Sequence, residues 1–107
     1  MSRHTIELNS DTPSGKAIVV IGYDITGGPH FFCWFHDALS NDKFTWSSIQ
    51  SQELCHAQSP TDFDSVLSDH GIVLPDFIYK ALGEDWAKNL LNCDYCWFED
   101  GSFEQIR

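Results

Sequence analysis

The sequence predicts an α+β domain: an antiparallel sheet of about four strands, covered on one face by two or three helices, with a C-terminal strand or hairpin. Three observations lead there. Strand-like runs fill the first half of the chain. Helical periodicity is confined to residues 61–91. Near the end, Asp100-Gly101 stands between two apolar-rich flanks. Strands and helices that segregate along the chain make two layers, not alternating βαβ units. With 107 residues, 42% of them hydrophobic, residues 1–107 are read as one domain with ample core.

The elements follow in order. His4 to Asn9 alternates, with Ile6 and Leu8 on one face, as a half-buried strand does. Ser10 to Gly15 is a loop of turn-forming residues. Lys16 to Tyr23 is β-branched and apolar on both faces, which suits a central strand paired with the first. After the break at Asp24 to Pro29, His30 to His36 forms a third strand. Phe31, Cys33 and Phe35 share one face, and Phe32 and Trp34 the other. Such a run is either covered on both sides or exposes an aromatic patch. Phe44 to Ile49 is the fourth strand.

Thr61 is a candidate helix cap answered by Asp64, with Phe63, Val66, Leu67 and His70 on one stripe and Gly71 at the stop. Pro75 opens a second helix carrying Ile78, Ala81 and Leu82. Gly83 is placed to end it, so that Glu84-Asp85 starts a third through Leu91. Asp100-Gly101 predicts a hairpin between Tyr95 to Glu99 and Ser102 to Ile106.

Charge decides which functions are excluded. Sixteen Asp and Glu face six Lys and Arg, a formal net charge of −10. Small soluble domains usually carry a magnitude of about 2–8. A basic surface is needed to hold DNA, RNA or an anionic membrane, so none of these is expected as a direct partner. Residues 1–61 hold six acids against three bases, or −3; residues 62–107 hold ten against three, or −7. No apolar run approaches the ~20 residues that cross a bilayer. The opening MSRHTIELNS lacks the apolar core of a signal peptide, so a cytoplasmic setting with reduced cysteines is expected.

Several constellations invite chemistry. Cys93-x-x-Cys96 is half of a tetrahedral zinc site, which Cys55 and His56 would complete. Against this, Cys55 and His56 are adjacent, and their side chains diverge on an extended segment. His30, His36, His56 or His70 meeting Cys33 or Cys55 would make a cysteine-dependent enzyme, though no nucleophile motif surrounds either cysteine. The carboxylate pairs Asp62/Asp64, Glu84/Asp85 and Glu99/Asp100 have ordinary places at helix starts and in a turn. Gly27-Gly28-Pro29 lacks the lysine and spacing of a phosphate loop. No catalytic residue and no cofactor are expected.

What remains is the acidic surface. Asp62, Asp69, Asp76, Glu84, Asp85, Glu99, Asp100 and Glu104 lie on segments expected outside the sheet. Carboxylates on a rigid surface can occupy the basic nucleic-acid channel of another protein, by the same electrostatics that bind DNA there. The alternative is a solvated surface that keeps the chain soluble. Surplus aromatics supply interface anchors, and a second copy of the chain would use them equally well.

Ser14-Gly15-Lys16, then Ile21-Gly22-Tyr23-Asp24, then Phe31-Phe32 resembles a pattern in small proteins of plasmids and other mobile elements. So does Leu67…Gly71-Ile72…Leu74-Pro75. Those proteins usually carry proline after the aspartate, where this chain has Ile25. The resemblance implies a mobile-element origin. In size and acidity the chain is also similar in kind to anti-CRISPR and other phage or plasmid inhibitors. The function expected is therefore a small acidic protein-binding module that inhibits a nucleic-acid-binding effector by covering its basic surface. A zinc-bound structural or regulatory domain and a cysteine-dependent enzyme are the alternatives.

Overall fold

The computed structural model describes residues 1–39 and 45–106. Six strands form one sheet: β1 (Ser2–Asn9), β2 (Lys16–Asp24), β3 (His30–Asp37), β4 (Trp46–Ser47), β5 (Cys93–Trp97) and β6 (Phe103–Gln105). Two α-helices, α1 (Asp64–Asp69) and α2 (Asp76–Lys88), lie between β4 and β5 in the chain. Short 3₁₀ turns cover Ser48–Gln50 and Pro60–Phe63.

The α+β class holds, but the sheet is mixed and larger than four strands. Its order is β4-β3-β2-β1-β5-β6, and β5 runs parallel to β1 while every other pair is antiparallel. The reason is topological. The β1–β2–β3 meander leaves one edge of β1 open. The chain crosses by way of the helices and re-enters in the direction of β1. A parallel neighbour needs such a long crossover, and nothing local to β5 announces it.

Register puts Ser2, His4, Ile6 and Leu8 on the face shared by Val19, Ile21, Tyr23, Phe31, Cys33 and Phe35. The helices bury this face with Phe63, Leu67, Ile78 and Leu82, each at most 1% exposed. Phe32 and Trp34 lie on the other side, where their rings stack at 5.2 Å. Phe32 is buried by folding across Gly22, where a Cβ would stand 2.6 Å from its ring and 1.9 Å from the Ser2 carbonyl oxygen. Only glycine allows that approach.

Several boundaries differ from the expectations. Ser59, not Thr61, makes the cap: its hydroxyl accepts from the Thr61 backbone N–H, and Pro60 follows at the first turn. Pro75 is the extended residue before α2, not its first helical one. Gly83 does not stop the helix; α2 runs through it to Lys88. Tertiary packing of Ile78, Leu82 and Trp86 on one face outweighs the ~1 kcal/mol that a helical glycine costs. Asn89 ends α2 instead, in the left-handed region at φ 51°, and its side chain accepts from the Tyr23 hydroxyl at 2.7 Å. Gly71 does end α1, at φ 72°. The Gly71 and Ile72 N–H groups return to the Ser68 and Leu67 carbonyls at 3.0 and 2.9 Å, which closes the helix.

The fourth strand is only Trp46–Ser47, and Phe44 lies outside the described residues. The hairpin is present but its loop has three residues, Glu99 to Gly101, and not the two implied by Asp-Gly alone. Phe98 and Ser102 close the loop at 2.9 Å, and Gly101 alone takes positive φ, 89°. The Asp100 carboxylate accepts from the Ser102 N–H and hydroxyl at 2.9 and 2.6 Å.

Candidate functional site

The parallel β1–β5 pairing sets His4 beside Tyr95 and Ile6 beside Trp97 on the helix-covered face. Helix α2 brings Asp85 over them. Asp85 is 3% exposed and His4 is 1% exposed. Asp85 Oδ2 accepts from the Ser2 hydroxyl at 2.7 Å and from His4 Nε2–H at 2.6 Å. The Ser2 hydroxyl oxygen also accepts from the Tyr23 backbone N–H at 3.2 Å. On the far side of the imidazole, Trp97 Nε1–H donates to His4 Nδ1 at 2.9 Å.

The indole nitrogen is a donor only, so Nδ1 of His4 is a bare acceptor and the ring proton sits on Nε2. Trp97 thereby fixes the neutral tautomer. The order of groups is serine, carboxylate, imidazole, indole. In a nucleophilic triad the nucleophile faces the imidazole nitrogen opposite the carboxylate. Here an indole N–H occupies that position, and Ser2 lies on the carboxylate side. The chain of bonds ties the N-terminal strand, α2 and β5 together; it is not built to activate Ser2.

This placement corrects one expectation directly. Asp85 is not a surface acid and cannot meet a partner as one. A full helical turn inside α2, it is turned inward with Ile78 and Leu82. Asp62, Asp69, Asp76, Glu84, Glu99, Asp100 and Glu104 are exposed. Glu99 pairs with Lys16 at 3.3 Å, and Asp100 is engaged in its own loop, where the Ser102 bonds hold its carboxyl below the ordinary range.

A groove runs beside the network, between α2 and the β5–β6 hairpin. A cavity of about 140 Å³ is lined by His4, Asp85, Glu84, Tyr95, Trp97 and Phe103, among others. A wider one of about 280 Å³ adds Phe77, Lys80 and Gly101. The rings form a continuous aromatic wall: Phe77 and Trp97 stack at 5.1 Å, Trp97 and Phe103 meet at 4.7 Å, and Tyr95 and Phe103 at 5.5 Å. Phe98, Phe103 and Ile106 remain exposed on this hairpin.

The zinc constellation is not assembled. Cys93 and Cys96 lie three apart on β5 and therefore point to opposite faces of the sheet. Among the described residues no three His, Cys, Asp or Glu side chains converge as metal ligands. Cys55 and His56 do not diverge, because their segment is a turn and not an extended strand. Sγ lies 3.5 Å from Nδ1, and the His56 ring is 5.0 Å from that of His30. Cys33 is fully buried in β3, and burial pushes its thiol far above the ordinary range, away from nucleophilic use. His30, His36 and His70 each turn Nδ1 toward a backbone carbonyl, of Gly28, Asp37 and Val66 respectively.

Sequence reasoning missed Ser2, His4, Tyr95, Trp97 and Phe103. One signal was present: His4 is in phase with Ile6 and Leu8, so alternation alone puts it on the buried face. A scan against protein-family models and searches of curated proteins and of solved structures find no match to this chain. No described helix is long and apolar enough to cross a membrane.

Proposed function

We propose that this protein is a small acidic protein-binding module of mobile-element origin. It inhibits a nucleic-acid-binding partner by covering that partner's basic surface, as anti-CRISPR-type inhibitors do. One observation carries the reading: exposed carboxylates flank an aromatic-walled groove on one edge of the fold. Glu84 lines the groove, and Asp100 adjoins Gly101, where a Cβ would stand 3.5 Å from the Phe77 ring. Aromatic anchors supply contact area, and carboxylates supply steering and selectivity for a basic surface. Asp62, in the 3₁₀ turn Pro60–Phe63, and Asp69, at the end of α1, are exposed carboxylates as well.

The test is capture from a host lysate with the intact chain, eluted by a salt gradient and, separately, by added DNA or RNA. The partner is expected to be a nucleic-acid-binding protein, released both by rising salt and by nucleic acid. Capture that resists both treatments overturns the reading.

A further inference from the structure

The mode of contact follows from the free edge of the sheet, and this inference rests on the protein-binding reading above. β6 is the last strand of the sheet order and has a strand on one side only. Its ladder with β5 continues past both ends of Phe103–Gln105. Phe98 N–H donates to the Ser102 carbonyl at 2.9 Å, and Ile106 N–H to the Asp94 carbonyl at 2.7 Å. Bonded and non-bonded pairs alternate along an antiparallel ladder. The bonded pairs are therefore Phe98/Ser102, Cys96/Glu104 and Asp94/Ile106, and Trp97/Phe103 is a non-bonded pair. The backbone N–H and C=O of Phe103 thus point away from β5, toward the open edge. Ser102 to Ile106 are all exposed. At the opposite end of the sheet, β4 is only two residues long.

An extended edge with outward backbone groups is a template for another strand, and proteins that avoid such pairing place lysine or proline there. Residues 89–106 contain neither, and no arginine. They carry four acids. Arg3 holds Asp94, Lys16 meets Glu99, and Asp100 is engaged in its own loop. Glu104, on β6 itself, makes no ion pair among the described residues. This carboxylate selects the occupant. A second copy paired antiparallel about the middle of β6 would set Glu104 against Glu104, and like charges directly opposite are destabilising. The net charge of −10 adds to that repulsion. A basic residue opposite Glu104 is favoured by the same rule. Phe103, 51% exposed on the other face of β6, gives an apolar neighbour its contact.

The geometry points to β6 as the docking edge for an extended segment of the partner protein, which extends the six-stranded sheet and alternates apolar with basic side chains. Main-chain bonds to Phe103 supply affinity, and the residue opposite Glu104 supplies selectivity.

The probe is a capped Thr-Val-Lys-Val-Lys-Val-Thr peptide, titrated into the isotopically labelled full chain. Hydrogen exchange at the Phe103 backbone N–H is the readout. Saturable binding is expected, with that exchange slowed in step with the bound fraction. A peptide with Glu for both Lys should not bind. Nor should one N-methylated at its central Val and Lys residues, which keeps charge and side chains but removes the main-chain donors. Glu104→Lys should weaken binding by about fivefold or more, the scale of a cross-strand charge pair, and should admit the Glu peptide instead. Phe103→Pro removes the outward N–H without touching the ladder to β5 and should abolish binding, whereas Phe103→Leu retains it. Equal binding of the methylated or Glu peptide, undiminished binding by Glu104→Lys, or unchanged exchange at Phe103 overturns the assignment. So does protection of Phe103 that rises with the concentration of the chain alone, which identifies a second copy as the occupant. If the peptide fails while salt-sensitive capture persists, the edge assignment falls and the inhibitor reading stands. If the peptide binds while capture fails, the edge stands and the inhibitor reading falls.

Discussion

The indole N–H of Trp97 donates to Nδ1 of His4 at 2.9 Å, across the parallel pairing of β5 with β1. This bond and the Asp85 carboxylate on the other ring nitrogen together place the His4 proton on Nε2. It also sets an aromatic wall against the buried carboxylate.

Removing that donor has a defined consequence. Trp97→Phe keeps a ring against Phe77 and Phe103 but leaves Nδ1 of a buried imidazole without a partner. The cost is about 1–3 kcal/mol. Urea denaturation measures it, while the ¹⁵N shifts of the His4 ring should still show the proton on Nε2, from which Asp85 accepts. Native stability in the variant would show that the bond contributes nothing.

Asp85→Ala strips the acceptor from both Ser2 and His4 in the interior. Two hydrogen bonds to a carboxylate are lost together, for about 3 kcal/mol or more. Glu84→Ala, one residue earlier and exposed, should change stability by less than about 0.5 kcal/mol. Similar denaturation midpoints for the two variants would contradict the inward placement of Asp85.

Gly22→Ala is expected to prevent folding into this register. The added Cβ would lie 1.9 Å from the Ser2 carbonyl oxygen, a backbone atom that cannot move without breaking the β1–β2 ladder. The loss should exceed about 4 kcal/mol, the range reserved for disrupted cores and backbones. Circular dichroism and thermal melting are sufficient, and a cooperative, native-like melt would refute the close approach.

Acid stability should depend on Asp37. Its carboxylate accepts from the Ser14 hydroxyl at 2.7 Å, the Ser14 N–H at 2.9 Å and the Leu39 N–H at 3.2 Å. These donors, the Ser14 hydroxyl foremost, hold its carboxyl at about 2 against an ordinary 3.8. A depressed folded value stabilises the fold fully above 3.8, and that contribution fades as pH falls toward about 2. Asp37→Asn should therefore be less stable than the native chain near neutrality, with the gap closing over that acid interval. Urea midpoints collected across it test this, and a gap that stays constant with pH rules out the linkage.

The three N-terminal strands, both helices and the hairpin were legible because each declares itself locally. Alternation marks β1, a β-branched run marks β2, Gly71 stops α1, and Asp100-Gly101 turns the chain. Local signals also misled at Gly83, where packing of one helix face overrode propensity, and in the loop length of the hairpin, which Ser102 sets by bonding back to Asp100 and Phe98. The acidic balance was plain from composition, and seven of the eight acids singled out are exposed.

The chain by itself determined which segments are strands and helices, which residues of each are apolar, and the excess of negative charge. These are properties of neighbours within a few residues. Tertiary structure alone decided that β5 lies parallel to β1, that Asp85 turns inward to His4 and Ser2, and that four aromatic rings wall a groove beside it. The first two of those relationships join residues more than eighty positions apart. Periodicity cannot encode such pairings, because they are selected by the whole sheet closing around one core.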